Sequence, residues 1–517
     1  MAAIRDHADR KYSQHPAVRN EVAQGASAAQ RPSDDYDLTR ASNSFDKTPE
    51  EDDEEKRALE TQRQSRVSGT WNPGVAEAAR TSHEIGQEES VDPFGNEDGA
   101  KVQYRTMEWW HVGLLMVAET ISLGNLSLPS AVAALGWIPG VILIVGFGLL
   151  ATYSGYIIGQ FKLAYPQVHS FADAGELIAG PIGREILGAG QVLVLVFIVA
   201  AHVLTFSVMM NVLTEHGSCS IVFAAVGAIV SFALTLPRTL QKVSYLSIAS
   251  CISITAAILV TMVGVGITKP GLFQTFAVGN PVTHATLTTG TLGLMQIIVA
   301  YSGHIAFFGF ISELRDPRTF RKALFLLQGL SVAFYITVGV VIYYFAGASV
   351  GSPALGATSP VLRKVAYGIA MPTIVVAGVI NGHVAAKYIY VRMWRSTNVM
   401  RERSARAYGS WYAICAAIWL LGWVIAEAVP AFNQLLALVG SLFCTWFSFG
   451  CCAYFWLWMN WGSWNKGWRK RSLVVVNLAM FAVCCALCGI GLYASGKEIH
   501  DGHGGQVFSC ADNSHPK

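Results

Sequence analysis

The chain has 517 residues, 52% of them hydrophobic and only 14% charged, against about 25% charged in an average soluble protein. Residues 1–111 carry 14 basic and 22 acidic side chains, and the rest of the chain carries 23 and 12, too few acids to solvate a globular surface. These figures exclude a soluble multi-domain enzyme and describe an all-α polytopic membrane protein behind a polar tail. No basic patch interleaved with aromatics and no zinc-finger spacing is present, so no nucleic-acid partner is expected.

The tail, residues 1–106, is rich in Ser, Asp, Glu, Arg and Gln, with a charge block from Pro49 to Lys56. Such a segment buries too little apolar surface to offset chain entropy, and the composition predicts a disordered cytosolic segment. Met1–Gln14 holds no apolar run, so no signal peptide is expected and the first span acts as an internal anchor. Lys11, Lys47 and Lys56 are candidate modification sites for regulatory machinery; a solvated tail without a partner is the other reading.

Eleven apolar segments are long enough to cross roughly 30 Å of hydrocarbon. They lie near 112–134, 137–158, 187–211, 219–236, 243–266, 289–311, 323–346, 365–386, 409–427, 432–458 and 472–493, within a membrane domain of 107–493. With the amino terminus cytosolic, 18 Lys and Arg fall in inner loops, among them Arg238, Lys387 and Arg471, and 5 fall outside. The positive-inside rule accepts that orientation. It leaves a carboxyl tail, 494–517, on the outer side.

The first span carries Glu119, then Ser122, Gly124, Asn125, Ser127 and Pro129, residues that weaken a helix in mid-membrane. The sixth carries Tyr301, Ser302, Gly303 and His304 at the same depth, which is costly unless it lines a cavity. Both are read as interrupted helices. Because the first begins one set of five spans and the sixth begins the next, and five is odd, they enter from opposite sides, and broken helices at corresponding positions of inverted halves point to a midplane transport site. Half-helix amino ends offer N–H groups to an anion, and carboxyl ends offer carbonyls to a cation. A zwitterionic amino acid suits both. The expected substrate contacts are the backbone around Gly124, Asn125 and Ser127 for the carboxylate, and carbonyls near Ser122 and Tyr301–Gly303 for the ammonium.

Three motifs carry a resemblance: Gly124-Asn-Leu-Ser-Leu-Pro-Ser130, Tyr301-Ser-Gly-His304, and Ser312-Glu-Leu-Arg-Asp-Pro317 followed by Phe320-Arg-Lys-Ala323. Over about 107–493 the sequence resembles the amino acid/auxin permease family, within it the fungal permeases for neutral aliphatic and aromatic amino acids. The resemblance implies a LeuT-type inverted 5+5 fold, proton-coupled import and a place in the plasma membrane. The expected partners are neutral amino acids, protons and the lipid bilayer. An amino-acid-sensing receptor signalling through its tail is the alternative.

Individual residues carry two readings each. Glu119 is the proton-coupling group or a buried structural hydrogen bond. His304 borders the substrate or packs; His202, Asn381 and His383 line the same cavity or join helices. Glu313 and Asp316 with Arg315 and Arg318 form an interfacial charge cluster at the inner end of the sixth span or part of an inner gate, and Glu427 is expected to snorkel at an outer end. Cys219 and Cys510 are the two cysteines outside the apolar spans, both on the oxidising side, and either pair as a disulfide or stay free. No clustered His/Asp or Ser/His set, cofactor motif or metal-ligand spacing accompanies the spans, so neither an enzyme nor a cofactor or metal is expected.

Overall fold

The computed structural model describes residues 105–271, 286–347, 350–394, 397–400, 402–429, 432–500 and 507–514. Residues 1–104 of the tail, its three candidate lysines included, lie outside the described residues. Two compact units are distinguished. One is Glu89–Gly175 with Ile182–Lys517; the other takes Met1–Glu88 with Glu176–Pro181, of which only the last six residues are described.

The described residues are almost wholly helical: α1 (Trp109–Thr120), α2 (Leu123–Leu135), α3 (Trp137–Ala164), α4 (Phe171–Thr214), α5 (Ser220–Thr235), α6 (Leu240–Thr268), α7 (Leu287–Ala300), α8 (Phe307–Glu313), α9 (Phe320–Ala346), α10 (Pro360–Trp394), α11 (Ala405–Ala428), α12 (Phe432–Val439), α13 (Cys451–Met459) and α14 (Trp468–His500). Among them nine helical stretches are long and apolar enough to cross a membrane, α7 with α8 and α12 with α13 each counting as one. The pair α1–α2, bent by 52°, makes a tenth. The 16-residue α5 is apolar but shorter than that threshold. It occupies the place of the fourth expected segment.

The packing repeats in the way an inverted 5+5 arrangement requires. Helices α1 and α2, the first span, pack on α9, the seventh; the sixth span, α7 and α8, packs on α3, the second. The fifth span, α6, packs on α1, and the tenth, through α12, packs on α7. The seventh meets the fifth, and the tenth meets the second through α13 and α3. Spans one and six pair with each other, as do four and nine. Each of these contacts thus has its counterpart in the other half.

Several boundaries differ from the sequence reading. The third helix starts at Phe171, capped by the Ser170 hydroxyl accepting from the Asp173 N–H, and is interrupted at Gly180, whose φ of 67° precedes Pro181. The eighth reaches Trp394, so Lys387 belongs to a buried helix face and not to a loop. The last helix runs to His500, seven residues past the expected domain end, so the carboxyl tail starts later than 494. Glu427 does not reach for the interface: it is buried, and its carbonyl accepts from the Phe508 N–H at 3.2 Å. Between α12 and α13 the helix widens into two π-helical turns, Gly440–Cys444 and Trp446–Gly450, a feature that periodicity does not reveal.

At one end of the bundle Met107 pairs with Leu314, and Tyr165 and Trp458 stack with ring centroids 5.4 Å apart. At the other end Cys219 and Cys510 form a disulfide spanning 291 residues. The tail beside it is further tied down. Ser220 Oγ donates to the Ala511 carbonyl at 2.6 Å, and Asn211 Nδ2 donates to Asn513 Oδ1 at 2.8 Å. Closing so long a loop contributes about 2–4 kcal/mol. Cys510→Ser is therefore expected to lower the melting temperature of the purified protein. A membrane-impermeant maleimide should label neither cysteine of the wild type until it is reduced; labelling of unreduced wild type at Cys510 contradicts this.

Candidate functional site

The first span breaks where Ile121 (φ −82°, ψ 73°) and Ser122 (φ −138°, ψ −119°) leave helical geometry. Pro129 does not cause the break: it lies inside the continuous helix α2. Gly124 permits it instead. A Cβ there would stand 2.6 Å from the Ala300 Cα, so the two spans touch backbone to backbone. The sixth span breaks at Tyr301 and Ser302 and resumes as a tight 3-10 turn, Gly303–Ala306, before α8.

The last carbonyls of a helix lack intrahelical partners. Here the Tyr335 hydroxyl lies between two of them, 2.6 Å from the Ala300 carbonyl and 3.1 Å from that of Thr120. One side chain of the seventh span thus holds the negative ends of α1 and α7 together. Helix α2 and the 3-10 turn begin beside them, so N–H groups and carbonyls of both polarities share one place.

A cavity opens at this junction, lined by Glu119, Thr120, Ser122, Gly124, Ser302 and Gly303 from the broken spans. His202 and Asn381 complete its polar side; Phe197, Ile198, Val299, Leu436 and Val439 form an apolar wall. The space open to water centres is about 40 Å³, room for a few waters, so a substrate requires the walls to part. Glu119, buried at 8% exposure, accepts from Thr120 Oγ1 at 2.9 Å, with Asn381 lining the same cavity. Its carboxylate lies against Gly303, where a Cβ would meet Glu119 Oε2 and Thr120 Oγ1 at 2.6 Å. A carboxylate of the first span therefore packs on the break of the sixth.

The expected site residues divide. Glu119, Ser122, Gly124, Ser302 and Gly303 line the cavity; Asn125, Ser127, Tyr301 and His304 do not. Ser127 Oγ turns back to the Gly124 carbonyl at 2.7 Å, and Tyr301 Oη donates to the Ile144 carbonyl at 3.0 Å. His304, wholly buried, has Nε2 2.8 Å from the Ala151 carbonyl, on the α3 side of the break. His202 Nδ1 lies 2.8 Å from the Ile374 carbonyl while its ring also reaches the cavity; His383 bonds the Pro237 carbonyl elsewhere. Sequence reading missed Phe197, Leu436 and Val439, apolar residues of packed helices that carry no signal apart from their neighbours.

Beneath the site the chain closes on itself. The Met107 N–H donates to the Glu313 carbonyl at 3.1 Å, and the Arg315 N–H donates to the Met107 carbonyl at 3.0 Å. Arg315 pairs with Glu108 at 2.7 Å, and the buried Glu313 carboxylate pairs with Lys387 of α10. This cluster joins the first, sixth and eighth spans below the cavity. Residues 105–496 match the family described as transmembrane amino acid transporter protein. The chain belongs to that family. The transporter is 36% identical over 430 residues to the "N amino acid transport system protein" of Neurospora crassa, an alignment covering 81% of this chain and 91% of that one. It is 25% identical over 414 residues to "Amino acid transporter AVT1H" of Arabidopsis thaliana, covering 76% and 92%. Among solved structures it resembles MhsT in complex with L-phenylalanine, at a TM-score of 0.53 and 13% identity, over 76% of this chain and 100% of that one. At that identity the likeness shows the fold, which is LeuT-type. The transporter moves amino acids and is not an enzyme.

Proposed function

We propose that this transporter imports neutral aliphatic and aromatic amino acids across the plasma membrane by proton symport, with its amino terminus cytosolic. One observation carries the reading: half-helix ends of both polarities meet in a cavity that has an apolar wall and in which Glu119 is the one carboxylate among the described lining residues. Paired helix ends match the carboxylate and ammonium that every amino acid shares. The apolar wall suits an uncharged side chain, because a Lys or Asp side chain would be desolvated there without a partner. Glu119 supplies a group that can carry one proton between the two sides. Opening below the cavity requires parting Met107 from Glu313 and Arg315, which assigns that cluster to the inner gate.

Purified transporter in liposomes, given labelled Leu, Phe, Trp, Lys and Asp with and without an inward proton gradient, tests each part. Leu, Phe and Trp are expected to compete with one another and to accumulate only with the gradient, with Lys and Asp transported weakly. Saturable Lys uptake at the Leu rate contradicts the neutral specificity, and accumulation without a pH gradient contradicts proton coupling.

A further inference from the structure

The connection between α13 and α14 lies at the same end of the bundle as Met107, since Trp458 at the end of α13 stacks on Tyr165 and Phe161 at the end of α3. It is a built turn. The Trp464 indole donates to the Leu457 carbonyl at 3.1 Å, and Lys470 Nζ donates to Ser463 Oγ at 2.9 Å. Gly462 and Gly467 take φ values of 78° and 91°, which L side chains avoid. The turn and the start of α14 enclose an open depression of about 600 Å³, lined by Trp461, Trp464, Asn465, Arg471, Val474 and Val475.

Three features of this depression point to one ligand. Lys466, Arg469, Lys470 and Arg471 stand within six residues that contain no acid. Among the described residues the side chains of Trp461, Asn465 and Arg471 donate to no protein acceptor, and Arg471 has no carboxylate partner. Finally, the floor continues onto the lipid-facing side of α14, where Val475 is 65% exposed and Leu478 49%. Cationic and amide donors at the membrane boundary, backed by edge-to-face indoles (Trp461 and Trp464, centroids 4.8 Å apart) and leading to an apolar face, complement a phosphate carried on acyl chains. We propose that this depression binds the headgroup of an anionic phospholipid in the leaflet facing the amino-terminal segment, with the phosphate at Arg471 and an acyl chain along Val474 and Val475. This does not depend on which amino acid is transported.

Native mass spectrometry of the detergent-purified full chain, offered phosphatidylserine and phosphatidylcholine in equal amounts, tests it. The wild type should retain phosphatidylserine preferentially. Arg471→Gln should lower that retention about fivefold, the worth of one basic residue at an anionic surface. Arg471→Lys should keep most of it, and Trp461→Leu should weaken it independently of charge. Arg403→Gln, at the same end of the bundle but outside the depression, should change nothing. Equal loss in the Arg403 and Arg471 variants would reduce the effect to diffuse charge and overturn the site. So would equal retention of the two lipids by wild type, or displacement of the bound lipid by inorganic phosphate alone, which would make it a free-anion site.

Discussion

Replacing Glu119 with Gln should abolish accumulation of substrate against its gradient while leaving exchange of substrate across the membrane close to the wild-type rate. The substitution is isosteric, and a glutamine carbonyl can still accept the Thr120 hydroxyl that lies 2.9 Å from Glu119 Oε2. The packing on Gly303 therefore survives, and only the exchangeable proton is lost. A glutamine resembles the protonated carboxyl, so the variant stays in the loaded form. Exchange needs no net proton movement and continues. Net accumulation needs proton release on the inner side and stops. A gradient of one pH unit is worth about 1.4 kcal/mol per proton, so a one-proton symporter reaches roughly tenfold accumulation per unit, and the variant should stay near equal concentrations. Counterflow and gradient-driven uptake in the same vesicles decide the matter. If Glu119→Gln still concentrates substrate, Glu119 is a structural hydrogen-bond acceptor and the proton travels elsewhere.

Gly124→Val should cut uptake strongly without emptying the membrane of protein. Even the first carbon of the new side chain would meet the Ala300 backbone at 2.6 Å, so the two breaks must separate. Overpacking of this kind costs about 1–3 kcal/mol, which at the transport site corresponds to a loss of roughly 5-fold to 150-fold. Gly303→Val should behave similarly, since its Cβ would press on Glu119 and Thr120. Uptake normalised to surface expression is the measurement, and wild-type uptake by either variant would show that the breaks do not need to touch.

The sequence made the spans and the two interruptions legible because bilayer thickness and backbone satisfaction leave so little choice. About 20 apolar residues cross, and polar residues in mid-span must line a cavity or find a partner. Glu119, Ser122, Gly124, Ser302 and Gly303 stood out for that reason, and they line the cavity. His304 and Tyr301 stood out equally, yet His304 Nε2 and the Tyr301 hydroxyl turn to the Ala151 and Ile144 carbonyls of the second span. A polar residue at membrane depth announces that it has a partner, but not which one. Pro129 misled for a related reason. A proline removes one hydrogen bond, and a helix absorbs that loss, whereas the actual break at Ile121–Ser122 coincides with the backbone contact between Gly124 and Ala300.

What the sequence determined by itself was therefore local: which segments are apolar enough to span, where they cannot remain regular helices, and which loops are basic. These follow from short stretches of chain meeting lipid or water. Tertiary structure decided the rest. The joining of two helix ends by Tyr335, the packing of Glu119 on Gly303, the apolar wall of Phe197, Leu436 and Val439, and the pairing of Lys387 with Glu313 all bring together residues far apart along the chain. Glu119 and Gly303 draw notice in the sequence, but nothing there pairs them, and it is helix packing, acting through close contact between particular faces, that gives these residues a shared site.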